Sequence, residues 1–392
     1  MPQILENSLN YERVEDDTSA IDQDGGRVKA DDILANSIDH KELIPDTAAV
    51  LSDRRTDSLS LVELSLTNST GGSSASDSSM TAPLSMPQGV AKQLEPVMAP
   101  FGYISSLPSK GVRQKLINAL NVWVEVPSDA LTTITSIISD VHDLSLMLDD
   151  VEDNSSLRRA MPATHSVFGV PQTVNSATYQ IVDVISRASD LGNPASLRAV
   201  IDEMKSLLVG QGLDLLWTHN VSVPSVEEYL QMVDGKTGGL FRMVSKLMVT
   251  QSTGPDKLGD LGWFMTLFGR FFQIRDDYAN LVLDQYTMTK GFCEDLDEGK
   301  WSFVLVHAFE NATPSVRTLL YSMSMQRRAA GSAAPGHKEL VMKLLQESGS
   351  LEHTVQVLQE LQADLMDELV AVETRIGKCN PAIRSIVDAL KV

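Results

Sequence analysis

The sequence predicts an all-α protein, and two observations support that prediction. Beyond Leu94, apolar residues recur at spacings of three and four, as they do on the buried face of a helix. Runs of alternating β-branched residues, which would indicate strands, are scarce. Between residues 132 and 153 we expect one continuous helix, whose apolar stripe is Ile134, Ile137, Ile138, Val141, Leu144 and Leu148.

Gly, Pro and Asn mark the expected connections between helices. They occur in GNP at 192–194, VPS at 223–225 and TGPD at 253–256. The stretch 338–375 has a further amphipathic pattern, which we expect to break near Gly349. No internal repeat of fixed period is present. The order of elements is therefore that of a helical domain, from residue 91 to residue 392.

The first 90 residues have a different composition. They contain 16 acidic and 6 basic residues and so carry about half of the net charge of −20. Their low-complexity segment, NSTGGSSASDSSMTAPLSMPQG at 68–89, has almost nothing to bury. Because such composition cannot offset the entropy lost on ordering, we expect residues 1–90 to form a disordered acidic, Ser-rich leader.

Charge and cysteine usage restrict the class of protein. A net charge of −20 in 392 residues argues against broad binding of nucleic acid or of anionic membranes, since both partners are negative. Cys293 and Cys379 cannot form a disulfide framework, and no secretory signal or transmembrane segment is apparent. We therefore expect a soluble protein of the cytoplasm or another intracellular compartment.

An acidic cluster ends the apolar stripe described above. In LMLDDVEDNSSLRR (146–159), Asp149 and Asp153 are four residues apart and share a helix face, with Asp150 one step round. Their mutual repulsion calls for a cation between them, and hard carboxylate oxygens suit Mg²⁺. Arg158 and Arg159 follow within two helical turns and are residues of the kind that bind phosphate. The segment therefore predicts a site for a metal and a diphosphate.

A second cluster repeats this spacing. In FFQIRDDYANLVLD (271–284), Asp276, Asp277 and Asn280 again lie on an apolar helix, and Lys290 and Lys300 follow. An isolated acidic pair at this spacing is usually solvated helix surface. Two such clusters, both followed by cations, favour a functional site instead.

The chain resembles the trans-isoprenyl diphosphate synthases, and among them the fungal and animal-type geranylgeranyl diphosphate synthases. Six strings carry the resemblance over residues 95–392, in the order of the family: YISSLPSKGVR (103–113), LMLDDVEDNSSLRR (146–159), HSVFGVPQTVNSATY (165–179), DGKTGGLF (234–241), FFQIRDDYANL (271–281) and KGFCEDLDEGKWSFVLVHA (290–308). The resemblance implies an isoprenoid synthase-type helical bundle around a deep central cavity. It also implies an enzyme that condenses isopentenyl diphosphate with dimethylallyl, geranyl or farnesyl diphosphate.

The resemblance assigns roles to particular residues. It implies Mg²⁺, three ions per site, held by Asp149, Asp150 and Asp153 on one wall and by Asp276 and Asp277 on the other. Isopentenyl diphosphate would be bound by Lys110, Arg113, His142 and Arg159. The allylic diphosphate would be bound by Arg158, Lys236, Thr237, Gln273, Asn280, Lys290 and Lys300. Independently of the resemblance, His142 lies seven residues before Asp149, two helical turns away on the same face.

Product length is predicted from the residues one helical turn before the first Asp. Short-chain members of the family have aromatic residues there, whereas this chain has Leu144 and Ser145. Neither blocks the cavity at that depth, so a floor further down is expected, on the helix that contains Tyr179. Geranylgeranyl diphosphate (C20) is the expected product, with farnesyl (C15) and geranylfarnesyl (C25) diphosphate as alternatives.

Two further expectations follow from the resemblance. The enzyme would be a homodimer or higher homo-oligomer and would supply terpenoid biosynthesis. The alternative to an enzyme is a noncatalytic partner subunit built on the same scaffold. Ala160 stands where the family commonly has Gly.

Overall fold

The computed structural model describes residues 88–109, 111–254, 258–282 and 293–391. The predicted leader lies outside these residues, except for 88–90, which belong to the first helix. The described ranges contain fifteen helices and one short hairpin: α1 Gln88–Ser106, α2 Val112–Val124, α3 Ser128–Glu152, β1 Leu157–Arg158, β2 Met161–Pro162, α4 Thr164–Phe168, α5 Val170–Asp190, α6 Pro194–Asn220, α7 Val226–Lys236, α8 Gly238–Thr250, α9 Gly262–Val282, α10 Glu294–Glu298, α11 Phe303–Asn311, α12 Pro314–Ala330, α13 Pro335–Glu347, α14 Ser350–Ile376 and α15 Pro381–Ala389.

The all-α prediction is confirmed over the described ranges. Helix α3 packs against α5 and α8, and α8 also packs against α6 and α9. Helix α7 contacts α6, α8 and α9, and α14 covers α9. Helices α3, α6, α7, α8 and α9 thus surround one region, and their inward apolar side chains form a single core.

The expected helix around the first acidic cluster is present as α3. Its predicted stripe is buried up to Leu144, and Leu148 is half-buried. The helix ends where Asp153 becomes its C-terminal cap and donates its backbone N–H to the carbonyl of Asp149. The register on which the acidic cluster was predicted is therefore the one that the structure shows.

The predicted connections also coincide with helix ends. Asn193 caps α6 by accepting a hydrogen bond from the N–H of Ala195, and Ser225 caps α7 in a reciprocal capping box with Glu228. The break near Gly349 is real. It separates α13 from α14, and φ of +68° at Gly349 is a conformation that glycine adopts without strain.

The hairpin between α3 and α4 was not predicted. Leu157 pairs with Pro162 and Arg158 with Met161, in antiparallel register. The two residues of its turn, Arg159 and Ala160, have φ of 54° and 62°. This left-handed region is where residues with a Cβ are strained.

Ala160→Gly is therefore expected to stabilise the protein. Removal of the Cβ relieves a strain of roughly 1–2 kcal/mol, and the greater freedom of glycine in the unfolded chain offsets part of the gain. We expect the free energy of unfolding in urea to rise by about 0.5–1 kcal/mol. A lower free energy of unfolding than in the wild type would contradict the strained turn.

No helix among the described residues is long and apolar enough to cross a membrane.

Candidate active site

The last two turns of α3 present the first acidic cluster to a cavity. The side chain of Asp149 is 16% exposed and lines the cavity, whereas that of Asp150 is fully buried at 0%. Since successive helical residues are rotated by about 100°, adjacent carboxylates point to different surroundings. Of these two neighbours, only Asp149 therefore faces the cavity.

The hairpin β1–β2 folds back and brings Arg158 onto this cluster. Its Nε lies 2.7 Å from Oδ1 of Asp150, and one terminal nitrogen lies 3.3 Å from Oδ2 of Asp149. Asp150 thus orients Arg158 from behind, which differs from the metal contact that the sequence predicted for it. A metal role for Asp150 stays a prediction.

Two lysines lie between the carboxylates of the first cluster. Lys236, the last residue of α7, places Nζ 3.3 Å from Oδ1 of Asp149. Lys300, just after α10, places Nζ 2.7 Å from Oδ2 of Asp153 and 2.5 Å from Oε2 of Glu298. The expected repulsion between carboxylates four residues apart is therefore balanced by cations from two other elements.

These contacts change the pKa values of the groups. Burial opposes ionisation of Asp149, but the neighbouring Lys300, Lys236 and Arg158 outweigh it and hold the pKa of Asp149 well below its usual range. Burial likewise opposes the charge of Lys300, yet the carboxylates around it raise its pKa. At neutral pH the cavity therefore has a charged carboxylate directly beside charged ammonium groups.

Close packing of α6 and α7 brings Lys236 to this position. A Cβ added at Gly210 of α6 would come within 2.2 Å of the backbone N of Lys236, and one at Gly235 within 2.8 Å of the carbonyl oxygen of Ser206. Only glycine permits this approach of the two helices.

Two residues of α6 that sequence reasoning missed complete this wall. Oδ2 of Asp214 lies 2.6 Å from Nζ of Lys236. The side-chain amide of Gln211 donates to Oδ1 of Asp149 at 3.2 Å and to Oε2 of Glu152 at 2.9 Å. The signal was present in GQGLDLLW (210–217), where two polar residues three apart interrupt an apolar helix.

A second wall of the cavity comes from α9. Asp276 and Asp277 both line the cavity. Asp277 already accepts three hydrogen bonds, from the Tyr229 hydroxyl at 2.6 Å, from the Gln273 amide at 2.8 Å and from the Phe303 N–H at 3.0 Å. Burial raises the pKa of Asp277 to about 6 despite these donors. Asp277 therefore joins α7, α9 and α11, and its predicted metal contact stays a prediction.

The remaining residues predicted for the allylic diphosphate are placed differently from one another. Thr237 lines the cavity and donates from its hydroxyl to Oε1 of Gln273 at 2.6 Å. Asn280 is buried and is not itself a lining residue, but its side-chain oxygen accepts at 3.3 Å from the N–H of Asp295, which does line the cavity. Lys290 lies outside the described residues, as does Lys110.

A smaller polar cavity of about 110 Å³ adjoins the large one, and Arg113 and His142 line both. Arg159 lines the smaller cavity and is held at 3.1 Å from Oδ1 of Asp143 and at 3.1 Å from the carbonyl of Leu107. Burial lowers the pKa of Arg113 to about 10, so it remains charged at neutral pH. Three of the four residues predicted for isopentenyl diphosphate are thus brought together.

His142 provides a pH test of this arrangement. Burial, followed by the charges of Arg113 and Arg159, lowers the pKa of His142 well below its usual value. The folded protein therefore favours the neutral ring, and below the unfolded pKa of about 6.5 the unfolded chain binds the extra proton. The contribution of His142 to stability is therefore lost as the pH falls below about 6.5.

We expect the free energy of unfolding of the wild type to fall relative to His142→Gln as the pH falls from 6 to 5, by at most about 1.4 kcal/mol per pH unit. Urea unfolding of both proteins at several pH values measures this difference. Parallel pH profiles of the two proteins would contradict a buried neutral His142.

The whole large cavity has a volume of about 280 Å³, and beyond its charged residues its lining is mainly apolar. Leu144 and Ser145 line it, as the sequence predicted. Tyr179 is half-buried on α5 and is not one of the lining residues, whereas Ile181, two positions later, is one. The chain-length role of Tyr179 stays a prediction, and on this helix Ile181 rather than Tyr179 lines the cavity.

The residues present fit a Mg²⁺ site in which the substrate completes the coordination of the ion. Within the described part of the chain, no three His, Cys, Asp or Glu side chains converge to form a closed metal site. Asp149 and Asp276 instead offer hard oxygens from two walls of the same cavity. One or two carboxylates together with substrate phosphates are a usual environment for Mg²⁺.

Comparison with known proteins places this site in a family. A sequence model described as polyprenyl synthetase matches residues 95–339, more than half of the chain. The chain belongs to the polyprenyl synthetase family. Polyprenyl synthetases are Mg²⁺-dependent prenyltransferases. The matched residues contain both acidic clusters and the lysines and arginines of the site.

Three fungal relatives are similar over 76% of the chain. Geranylgeranyl pyrophosphate synthase A of Phomopsis amygdali is 57% identical over 297 residues, which cover 76% of that protein. Ophiobolin F synthase of Emericella variicolor is 48% identical, and talaropentaene synthase of Talaromyces verruculosus is 47% identical. The matches cover only 42% and 44% of these two longer proteins.

Proposed function

We propose that this polyprenyl synthetase condenses isopentenyl diphosphate with allylic diphosphates and releases geranylgeranyl diphosphate. The observation that carries the proposal is the position of Asp149 and Asp276 at the polar end of one apolar cavity, beside Lys236, Lys300 and Arg158. The similarity to geranylgeranyl pyrophosphate synthase A supports the choice of product.

The polar end suits the binding of an allylic diphosphate. Arg158, fixed from behind by Asp150, is a planar donor for phosphate oxygens. Lys236 and Lys300 now neutralise Asp149 and Asp153, and they would turn to the phosphate oxygens as metal occupies the carboxylates. Mg²⁺, for which we propose three ions held by Asp149, Asp153 and Asp276 together with the substrate, would stabilise the charge that develops on the leaving diphosphate.

The smaller cavity suits the second substrate. Arg113 and Arg159 supply two cations there, and neutral His142 stands between this cavity and the large one. Isopentenyl diphosphate bound at these residues would direct its double bond toward the allylic carbon in the neighbouring cavity. Because both cavities share Arg113 and His142, the two substrates would be held in adjacent positions, which removes much of the entropic cost of their encounter.

The reaction itself follows from charge. The allylic C–O bond breaks with its electron pair going to the diphosphate, and the fixed cations at Arg158, Lys236 and Lys300 stabilise that charge as it forms. The isopentenyl double bond then attacks the allylic cation, a new C–C bond forms, and transfer of a proton from the condensed cation to the released diphosphate restores an alkene. The apolar side chains below, among them Leu144 and Leu240, exclude water that would quench the cation.

An assay of product chain length tests the proposal. Purified protein is incubated with Mg²⁺, labelled isopentenyl diphosphate and, separately, dimethylallyl, geranyl and farnesyl diphosphate, and the products are resolved by chain length. We expect a C20 main product from every primer. A C15 or C25 main product would replace the proposed product, and no turnover with any primer would favour a noncatalytic subunit.

We also propose that the enzyme is a homodimer. Val182 of α5 and Leu208, Val209 and Leu216 of α6 are exposed apolar side chains on two adjacent helices. A Cβ added at Gly212, between Leu208 and Leu216 on the same face, would meet open space, so another backbone could approach closely there. Such an apolar face is typical of subunit interfaces. Analytical ultracentrifugation is expected to give twice the mass of one chain, and a monomer at micromolar concentration would contradict the proposal.

A further inference from the structure

Lys300 stands between two cavities. It lines the large cavity, and it also lines a separate one of about 50 Å³, together with Gly299, Trp301 and Arg327. Groups beside an unfilled space lose packing contacts on that side. The position of Lys300 therefore depends strongly on the polar contacts of the residues just before it.

Helix α9 fixes both ends of the segment that carries Lys300. At the beginning, Asp295 donates its N–H to the side-chain oxygen of Asn280 at 3.3 Å. At the end, Phe303 donates its N–H to Oδ2 of Asp277 at 3.0 Å. The stretch between these two anchors, residues 297–300, receives its support from other helices.

Arg327, in the last turn of α12, supports this stretch through its backbone. Its Nε donates to the carbonyl oxygen of Asp297. Its guanidinium also lies directly against Gly299, since a Cβ added there would come within 2.5 Å of a terminal nitrogen of Arg327. Gly299 ends α10 with φ of +73°, which glycine adopts without strain. The lack of a side chain at Gly299 thus lets the guanidinium reach the backbone one residue before Lys300.

Asp297 joins the same stretch to the following helix. Its Oδ1 accepts a hydrogen bond from the N–H of Ala333 at 3.1 Å, and its Oδ2 accepts one from Nζ of Lys338 at 2.5 Å. The side chain of Lys338 is only 11% exposed, so salt screens this ion pair less than one on the surface. Through Arg327 and Asp297, α10 is therefore held by α12, by α13 and by the connection between them.

We propose that Arg327 and Asp297 are positioning residues for Lys300. This inference rests on the proposed function, in which Lys300 binds the allylic diphosphate. Neither Arg327 nor Asp297 lines the large cavity, so both act through the backbone before Lys300 and do not touch the substrate. Nζ of Lys300 now lies 2.7 Å from Asp153 and 2.5 Å from Glu298, and loss of either support lets it move away from them.

Arg327→Ala is expected to lower kcat/KM for farnesyl diphosphate by about 10- to 100-fold, since a misplacement of about 1 Å caused far from the chemistry can cost about 100-fold. KM for isopentenyl diphosphate is expected to stay unchanged, because Arg113 and Arg159 line a different cavity from the one beside Arg327. This separation of the two substrates would not result from a general loss of folded protein.

Asp297→Asn provides a milder variant. It keeps the size of the side chain and removes the charge that pairs with Lys338. The side chain of Asp297 is 35% exposed, so the exchange buries no new polar group and costs little stability. A smaller loss of kcat/KM for farnesyl diphosphate is expected, again with an unchanged KM for isopentenyl diphosphate.

Arg328→Ala is the matched control. Arg328 is the next residue on α12 and is exposed. Its replacement by Ala is the same exchange with the same change in net charge. An effect of the charge or of the helical propensity of α12 would therefore occur in both variants. We expect Arg328→Ala to keep the wild-type kcat/KM.

A double-variant cycle with Lys300→Ala separates positioning from a general structural role. Lys300→Ala alone is expected to lower kcat/KM by about 100- to 1,000-fold, as the loss of one fixed donor at a developing charge does. If Arg327 acts through Lys300, adding Arg327→Ala to this variant changes kcat/KM by less than about twofold. If Arg327 only stabilises the fold, the losses of the two single variants multiply.

The experiment measures kcat, both KM values and the melting temperature with Mg²⁺, farnesyl diphosphate and labelled isopentenyl diphosphate. A loss in Arg327→Ala that disappears in the Lys300→Ala background supports the inference. Wild-type kcat/KM in Arg327→Ala, an equal loss in Arg328→Ala, or multiplying losses in the cycle overturns it. If Arg327→Ala does not fold, the same cycle with Asp297→Asn decides. Failure of the proposed function is distinct, since the wild type itself would then form no prenyl product.

Discussion

Asp149→Asn is expected to reduce turnover by about a thousandfold while leaving the helical fold intact. The exchange removes a charged oxygen ligand at the position where Asp149 faces the cavity, and metal stabilisation of the transition state amounts to several kcal/mol. Asp149 is part-exposed, and Lys236 keeps its contact with Asp214 at 2.6 Å, so stability changes little. Steady-state rates over a range of Mg²⁺ concentrations, together with the melting temperature, measure both effects.

Two further variants make this prediction specific. Asp129→Asn changes an acid in the first turn of the same helix and is expected to keep the wild-type rate. Asp150→Asn loosens Arg158 and is expected to raise KM for the allylic diphosphate more than it raises the Mg²⁺ requirement. Wild-type turnover in Asp149→Asn, or equal Mg²⁺ profiles for Asp149→Asn and Asp150→Asn, would contradict these separate roles.

Ser145→Phe is expected to change the main product from C20 to C15 or C10. Ser145 lies one turn before Asp149 on α3, about 6 Å along the helix, and it lines the cavity. A phenyl ring there occupies the space that the growing chain needs. The opposing effect is overpacking, which can cost about 1–3 kcal/mol of stability.

The control for this variant is Ser136→Phe, the same exchange on the exposed side of α3. It is expected to form the wild-type product. A folded, active Ser145→Phe that still forms mainly C20 would show that the chain does not pass Ser145.

Much of the site could be predicted because helical register fixes it. The i, i+4 spacing of Asp149 and Asp153 and the seven-residue separation of His142 translate directly into positions on one helix face. Asp276 on α9 follows from the same argument. To predict the positions of the residues on α3, only a continuous helix was required, and the apolar stripe of α3 predicted that helix.

What could not be predicted depends on packing between elements. The contact of Arg158 with Asp150 arises from a two-residue hairpin whose strands are too short for an alternating pattern. Gln211 and Asp214 reach the cavity because Gly210 and Gly235 let α6 and α7 approach closely, and spacing along one helix carries no information on its distance from another. Ile181 and Tyr179 lie two residues apart on α5, and only the packing of α5 decides which of them lines the cavity.

We infer that the polar end of the large cavity ionises the allylic diphosphate between the walls that carry Asp149 and Asp276. A crystal structure of the full chain with Mn²⁺ and a non-cleavable thio analogue of farnesyl diphosphate tests it most directly, because the anomalous signal of Mn²⁺ locates the metal. We predict anomalous peaks within about 2.0–2.3 Å of carboxylate oxygens of Asp149 and Asp276, with the farnesyl tail along Ser145. Metal bound elsewhere, or a tail directed away from Ser145, would contradict the account.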